Sequence, residues 1–176
     1  MTFKEREENM IVQLRLDERL IHGQVVTAWS RALNINTILV ANDEIVKDSI
    51  KTKILLMAAP AGKKVHVKGV EETIHLLKDP RADKMSILLL VDNPKDALRL
   101  TQQLLIQEIN IANYQKKKTK DKISIHTYCK ADEEDFELFK KLVRTGSHVF
   151  TQMLPSMEQE ELEELLRKAE KERTYD

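Results

Sequence analysis

The histidine most favourably placed for chemistry is His22. It lies in the segment Arg15–Val26, R-L-D-E-R-L-I-H-G-Q-V-V, which follows a short apolar strand and leads into a helix. We therefore expect Asp17–His22 to form the first strand-to-helix turn, and α/β folds place their active-site groups in such turns. Arg19 shortly precedes the histidine and Gly23 follows it directly.

A histidine in this position is suited to nucleophilic phosphoryl transfer. Its unperturbed pKa of about 6.5 leaves a neutral, nucleophilic ring nitrogen at working pH, and the amino end of a helix favours the dianion that the ring would acquire. Arg19 could bind the phosphoryl oxygens through two hydrogen bonds, and Gly23 would let a backbone amide approach them. Asp17, Asp43 or a backbone carbonyl could hold the other ring nitrogen in one tautomer.

The same residues have a plainer interpretation, and the pattern by itself leaves both open. A histidine in such a turn is often a capping or packing residue, and the charged residues from Arg15 to Arg19 could form a surface ion-pair cluster of small energetic value. The other histidines, which we expect to be structural or exposed, are His66, His75, His126 and His148. None has metal-ligand spacing and the glycines are too scattered for a phosphate loop, so we predict neither a metal site nor a cofactor.

Composition excludes several classes of protein. The 176 residues contain 29 Lys and Arg against 29 Asp and Glu, and a formal net charge of +0 gives no global field for nucleic acid. The single cysteine, Cys129, excludes an internal disulfide. No apolar run approaches the roughly 20 residues of a membrane span, and residues 1–10 are too charged for a signal peptide. We therefore predict a cytoplasmic protein with a flexible tail at residues 1–10.

The order of elements predicts one α/β domain over residues 11–171. We predict an open, mostly parallel, twisted sheet with helices on both faces, and an edge strand that could run antiparallel. The predicted strands are 11–16, 37–41, 64–67, 85–91, 108–111, 123–129 and 148–153. The predicted helices are 24–33, 42–57, 69–78, 94–105, 131–145 and 156–171, and residues 112–122 are expected to form a basic, solvated connector.

Three strand-to-helix turns should meet beyond the carboxyl ends of the parallel strands. They are Asp17–Gln24, Asn42-Asp43 and Asp92-Asn93. The most hydrophobic strand, 85–91, is expected in a central position, and Asn93 is the predicted N-cap of the helix that begins at Pro94. Side chains from all three turns are therefore candidates for one site.

The run Arg15–Val25, followed by Trp29, closely resembles the active-site segment of the IIB component of mannose/fructose/sorbose-family phosphotransferase systems. That family pattern reads approximately R-[IVL]-D-x-R-L-I-H-G-Q-V. The resemblance continues through Val40–Glu44, Met57–Pro60 and Asn93-Pro94, and it covers roughly residues 11–166.

The resemblance implies that His22 accepts a phosphoryl group from a phosphohistidine on a IIA partner. The group would then pass to a sugar that the IIC and IID subunits carry through the membrane, with the protein held peripherally at the inner membrane face. Arg19 matches the arginine beside the phosphohistidine, and Asp17 and Asp43 match acidic positions around it. The expected supporting residues are thus Asp17, Gly23, Gln24, Asp43 and Asn93. The chain resembles the free-standing IIB form, and a homo-oligomer is left open.

Two departures from the family pattern motivate an alternative. Ala112-Asn113 stands where relatives often have two glycines, and Asp92 stands where many have a neutral residue or a lysine. The alternative is a non-catalytic regulatory or partner-binding module that keeps the IIB fold. A third possibility, a small nucleotide-binding protein, lacks the glycine-rich loop that it would need.

Overall fold

The structure, a computed structural model, describes residues 10–116 and 121–174, and within these ranges it alternates strands and helices. The strands are β1 Ile11–Asp17, β2 Thr37–Ala41, β3 Lys64–Lys68, β4 Ile87–Val91, β5 Glu108–Gln115, β6 Ile123–His126, β7 Cys129–Ala131, β8 His148–Thr151 and β9 Glu160–Glu161. The α-helices are α1 Gly23–Ala32, α2 Ser49–Met57, α3 Val70–Lys78, α4 Pro94–Thr101, α5 Glu133–Val143 and α6 Leu162–Thr174. Short 3-10 turns occupy Ile45–Lys47 and Pro80–Lys84.

The strands form one mixed sheet that is mostly parallel. Its parallel part runs in the order β3-β2-β4-β1-β5, and two strands share the outer edge of β5. Strand β8 pairs with the first half of β5 and β7 with its end, both in parallel. Strands β6 and β9 add antiparallel pairs to β7 and β8 respectively. The predicted open, mostly parallel α/β sheet with an antiparallel edge is confirmed.

Helices cover both faces of the sheet, which explains why the sequence of β4 is hydrophobic at every position. Leu88 and Leu90 face the layer of α1 and α2, and Leu89 faces the layer of α3 to α6. The whole strand is buried between β1 and β2. A strand covered on both faces needs apolar residues at every position, so the predicted central place of this segment is confirmed.

The segment after β2 differs from its prediction as a single helix from residue 42. The side chain of Asn42 accepts hydrogen bonds from the amides of Glu44 at 3.0 Å and Ile45 at 2.8 Å, which closes a 3-10 turn. Asp48 is extended, and its carboxylate accepts from the amides of Ile50 and Lys51 as the N-cap of α2. A short acidic side chain competes with the helical backbone in this way, so the chain breaks and restarts at Asp48.

Three further boundaries differ from the sequence predictions. Strand β5 continues to Gln115, into the predicted connector, because Ala112 and Tyr114 are buried; residues 117–120 of that connector lie outside the described residues. The predicted strand 123–129 is a hairpin of β6 and β7. The last helix begins at Leu162 instead of residue 156, since Glu160-Glu161 first pair with β8.

The start of the chain adds to the core. Residues 1–9 of the predicted tail lie outside the described residues, and Met10 is buried against the layer of α3 to α6. The prediction of a solvated tail is therefore wrong for Met10. No helix among residues 10–116 and 121–174 is long and apolar enough to span a bilayer.

His148 ties three strands together at the edge of the sheet. Its Nδ1 lies 3.0 Å from Oε2 of Glu108 on β5, and its Nε2 lies 2.9 Å from Oε1 of Glu161 on β9. Two carboxylates can both be satisfied only by the doubly protonated ring. Hydrogen bonding to Glu161, helped by Glu108, accordingly raises the pKa of His148 above its ordinary value.

We expect this arrangement to make stability depend on pH. A raised folded-state pKa stabilises the protein fully below the ordinary histidine pKa of about 6.5, and the contribution is lost as pH rises through the folded value. The melting temperature should therefore fall modestly above about pH 6.5, and His148→Gln should flatten that fall. The effect is small because the imidazole is 40% exposed. Exposed His66→Gln is the control, and an unchanged pH slope in His148→Gln would contradict the assignment.

Candidate functional site

The first strand-to-helix turn is held in an unusual backbone conformation. After β1, the amide of Glu18 donates to the carbonyl of Asn113 at 2.9 Å, and the amide of Leu20 donates to the carbonyl of Asp17 at 2.8 Å. Leu20 has φ 56, a left-handed conformation that costs a non-glycine residue about 1 kcal/mol. Burial of Leu20 and Ile21 in the layer of α1 and α2 offsets this strain. The turn therefore directs two apolar side chains into the core and leaves the next residue exposed to solvent.

That next residue is His22, the N-cap of α1. Its backbone is extended, and its carbonyl accepts from the amides of Val25 at 2.9 Å and Val26 at 3.2 Å. Its side chain makes no capping hydrogen bond, and His22, Gly23 and Gln24 are all exposed. The first amides of a helix have no intrahelical acceptor, so this end of α1 presents donors and a positive dipole to an anion.

Asp17 fixes the guanidinium of Arg19, three residues before His22 in the chain. Oδ1 of Asp17 accepts from Nε of Arg19 at 3.0 Å and from its backbone amide at 3.1 Å, and Oδ2 accepts from Nη2 at 3.0 Å. The carboxylate is buried whereas Arg19 is partly exposed. These hydrogen bonds raise the pKa of Arg19. Arg19 is thus a permanently charged group whose orientation is set before any ligand arrives.

Arg15 lies beneath this pair and is fully buried. Its Nη2 lies 3.3 Å from Oδ2 of Asp17, and the guanidinium carbon lies 5.3 Å from the centre of the Trp29 ring. Burial lowers the pKa of Arg15 to about 10, which still leaves the group charged at neutral pH. The interpretation of Arg15–Arg19 as a surface ion-pair cluster is therefore wrong, because both Arg15 and Asp17 are inside the protein.

The loop after β8 completes the arrangement, and no motif in the sequence predicted its part. Arg15 donates to the carbonyls of Gln152 at 3.3 Å and Met153 at 3.1 Å. Trp29 Nε1 donates to the same Met153 carbonyl at 3.0 Å, and Nη2 of Arg19 lies 3.5 Å from the Met153 sulfur. The indication present in the sequence was Arg15 within an apolar strand, since a buried guanidinium needs acceptors from other parts of the chain.

Asp43 and Asn93 follow neighbouring parallel strands but do not contact this cluster. Oδ1 of Asp43 accepts from the amide of Val70 at 2.7 Å, and Oδ2 accepts from Arg99 at 2.7 Å. Arg99 accordingly lowers the pKa of Asp43. Asn93 is the N-cap of α4, as predicted, and its amide group donates to Asp92 and Asp96. Asp43 thus joins the end of β2 to α3 and α4, whereas Asn93 bonds only to Asp92 and Asp96 at the start of α4 among the described residues.

The two departures from the family pattern are accommodated locally. The pairing of β1 with β5 passes from Leu16–Ile111 to Asp17–Asn113, so buried Ala112 occupies a bulge and the Asn113 carbonyl anchors the first turn. Asp92 is half-buried and accepts from Asn93 at 2.7 Å. In the parts of the chain that the structure describes, no group of three or more His, Cys, Asp or Glu could hold a metal ion.

Comparisons with known proteins agree on one family. Residues 11–176 match the family model of the sorbose-subfamily IIB component of the phosphotransferase system. A probable phosphotransferase enzyme IIB component of Streptococcus pyogenes is 35% identical over 162 residues, which cover 89% of this chain and 99% of that protein. The mannose-specific EIIAB component of Escherichia coli is 34% identical over 78% of this chain, which spans only 42% of that longer protein.

A solved structure is similar over nearly the whole chain. The IIBSor domain of the sorbose permease from Klebsiella pneumoniae superposes with a TM-score of 0.85 at 28% identity, covering 90% of this chain and 97% of that one. The two sequences share under a third of their residues and still form the same overall fold.

We expect Asp17→Asn to destabilise the fold strongly. The substitution keeps the shape but removes the negative charge between two arginines, which leaves buried Arg15 without a counter-charge and costs about 3 kcal/mol. Urea unfolding at neutral pH measures the change in the free energy of unfolding. The matched control is Asp92→Asn, where a half-buried carboxylate with only an asparagine partner should cost about 0.5 kcal/mol or less. Equal effects of the two variants would contradict the buried role of Asp17.

Proposed function

Since the chain belongs to the sorbose-subfamily IIB components of the phosphotransferase system, which are phosphotransfer modules of sugar uptake, we propose that His22 is its phosphoryl acceptor. The observation that carries the proposal is the exposed His22 at the amino end of α1, close in the chain to an arginine that a buried carboxylate holds in place. The family match gives no support to the alternative of a non-catalytic binding module.

In the first step, a ring nitrogen of His22 attacks the phosphorus of a phosphohistidine on a IIA partner. The new N–P bond forms as the donor's N–P bond breaks, and one proton passes from the His22 ring to the departing imidazole. In the second step, a sugar hydroxyl oxygen forms a bond to phosphorus, the N–P bond of His22 breaks, and the hydroxyl proton returns to the ring. The rest of the protein takes little part in the covalent chemistry, so it contributes to catalysis mainly by orienting the reacting groups and neutralising their charge.

The neighbours of His22 take these orienting roles in the proposal. Arg19 neutralises the phosphoryl oxygens through the donors that Asp17 leaves unused, and the amides of Gly23 and Gln24 hydrogen-bond them at the start of α1. Asp17 is a positioning residue, because it acts through Arg19. The proposal assigns Asp43 and Asn93 no such part, since their side chains are engaged with Arg99, Val70, Asp92 and Asp96.

The partners in the proposal follow from the family. The name of the mannose-specific EIIAB relative combines A and B components, which supports a IIA donor for this chain. The acceptor is a sugar presented by IIC and IID membrane subunits, and the protein works at the inner face of the membrane. Its cytoplasmic location and its association with these subunits belong to the same proposal.

Phosphorylation of the purified chain tests His22 directly. Incubation with phosphoenolpyruvate, the general phosphotransferase proteins and a cognate IIA should produce an acid-labile phosphate, and His22→Ala should abolish it. The exposed His66 on β3 provides the matched control, because His66→Ala should be labelled like the wild type. Undiminished label in His22→Ala, or no label on the wild type, would overturn the proposal.

In the proposal Arg19 is the clamp, the group that binds the phosphoryl oxygens. Replacing it should therefore slow the transfer and leave the site of labelling unchanged. Removing one preorganised donor from a developing charge slows such reactions about a hundredfold, so Arg19→Ala should slow single-turnover transfer from phospho-IIA by about that factor. Arg19→Lys should recover only part of the rate, since an ammonium cannot make the paired contact. Arg31→Ala, at the exposed last turn of the same helix, should react like the wild type. Equal rates for Arg19→Ala and Arg31→Ala would show that Arg19 is not the clamp.

A further inference from the structure

Helix α2 and the turn before it carry most of the exposed large apolar side chains among the described residues. Ile50 is 70% exposed, Ile54 60% and Met57 86%. Val46 and Leu56 are also exposed, and Met157 is the one exposed large apolar residue elsewhere in the described ranges. Monomeric proteins rarely gather apolar side chains in one patch unless the patch meets a partner.

The exposed residues form a ridge along the outer side of α2. Residues spaced by three and four lie on one side of a helix, which applies to Ile50, Ile54 and Met57. Leu55 is the buried residue of α2, and it packs in the core layer shared with α1. It lies on the inner side of the helix, so the ridge is directed away from the protein. The apolar ridge is convex and has no covering element among the described residues.

Lysines line both sides of this ridge. At 100° per residue, Lys51 and Lys53 fall on opposite flanks of the Ile50–Ile54 line, and both are exposed. Helix α2 contains no acidic residue. Among the described residues Lys51 pairs with the exposed cap Asp48, at 3.4 Å, and such surface pairs are weak. Helix α2 itself therefore carries two lysines and no carboxylate beside its apolar ridge, and the nearest acidic residues, Glu44 and Asp48, lie in the turn before it.

We infer that α2 docks the protein directly on an anionic lipid surface. Ile50, Ile54 and Met57 insert at the level between headgroups and acyl chains, and Lys51 and Lys53 extend to the phosphate headgroups. The inference concerns a surface other than the His22 turn, and it does not depend on phosphoryl transfer.

A lipid surface fits this ridge better than the other occupants. A second copy docked through the same helix would gather two copies each of Lys51 and Lys53 in one interface to which α2 contributes no carboxylate, which the charge opposes. A protein partner would need a groove complementary to a convex ridge with acidic rims on both sides. A bilayer adapts to any convex shape, and its anionic headgroups complement lysines on both flanks.

Vesicle flotation of the full chain tests the inference. The probes are vesicles of phosphatidylcholine alone and of phosphatidylcholine mixed equally with phosphatidylglycerol. We expect binding to the mixed vesicles and at least about tenfold weaker binding to the neutral ones, with added salt weakening the former. His22→Ala should bind like the wild type, so that failure of phosphotransfer and failure of lipid docking remain distinguishable.

Two sets of variants separate the apolar and the charged contributions. The triple variant Ile50→Ser, Ile54→Ser, Met57→Ser and the double variant Lys51→Glu, Lys53→Glu should each weaken binding to the mixed vesicles at least about tenfold. Their matched controls are Met157→Ser and the double variant Lys141→Glu, Lys168→Glu, which alter exposed residues of the same types elsewhere. The controls should bind like the wild type. Because the altered side chains are exposed, the melting temperatures should stay close to that of the wild type.

The remaining outcomes overturn the inference. Absence of binding to the mixed vesicles does so, and so does binding that the α2 variants leave unchanged. Binding only to vesicles that contain reconstituted membrane subunits would assign the ridge to a protein partner. A concentration-dependent dimer in sedimentation that the α2 variants abolish, without lipid binding, would assign it to a second copy.

Discussion

The buried guanidinium of Arg15 is the constraint on which the site depends. A charge removed from water costs several kcal/mol unless its donors find acceptors. The terminal nitrogens of Arg15 meet this requirement with the carboxylate of Asp17 and the carbonyls of Gln152 and Met153, beside the ring of Trp29, whereas its Nε is buried without a hydrogen-bond partner among the described residues. Those groups come from β1, α1 and the loop after β8, so satisfying one side chain brings three distant parts of the chain together.

The same requirement sets the electrostatics around His22. Asp17 would repel a phosphoryl group if it stood alone, but it is buried between Arg15 and Arg19. The carboxylate of Glu18 also acts on Arg19, so two guanidinium groups and two carboxylates balance in net charge in this segment. The partly exposed guanidinium of Arg19, together with the amino end of α1, offsets part of a dianion while the exposed ring stays accessible to a partner. A more positive cluster would hold the phosphoryl group tightly and hinder its onward transfer.

Local patterns predicted much of this architecture, and their failures share one physical cause. The uninterrupted apolar run of β4, the cap at Asn93 and the turn at His22 are decided by neighbouring residues. The break at Asp48 was missed because an aspartate inside an apolar pattern fits equally well on the outer face of a helix. The ion-pair partner of Asp43 was not predicted, because Arg99, far along the chain, determines where its carboxylate points. Met153 lies 138 residues from the arginine that needs its carbonyl, and no local pattern carries that pairing.

The two surfaces for which functions are proposed lie on the same side of the sheet. Helices α1 and α2 pack into one core layer, and each follows a parallel strand of the same sheet, so both begin at its carboxyl edge. When the protein docks through the outer ridge of α2, the His22 turn at the start of the neighbouring α1 therefore lies at the edge of the contact. The membrane does not cover it. His22 then lies close to the membrane, where a carried sugar arrives, and still faces open solution, from which a phosphorylated donor must approach. If α2 covered the opposite layer, docking would direct His22 away from the sugar.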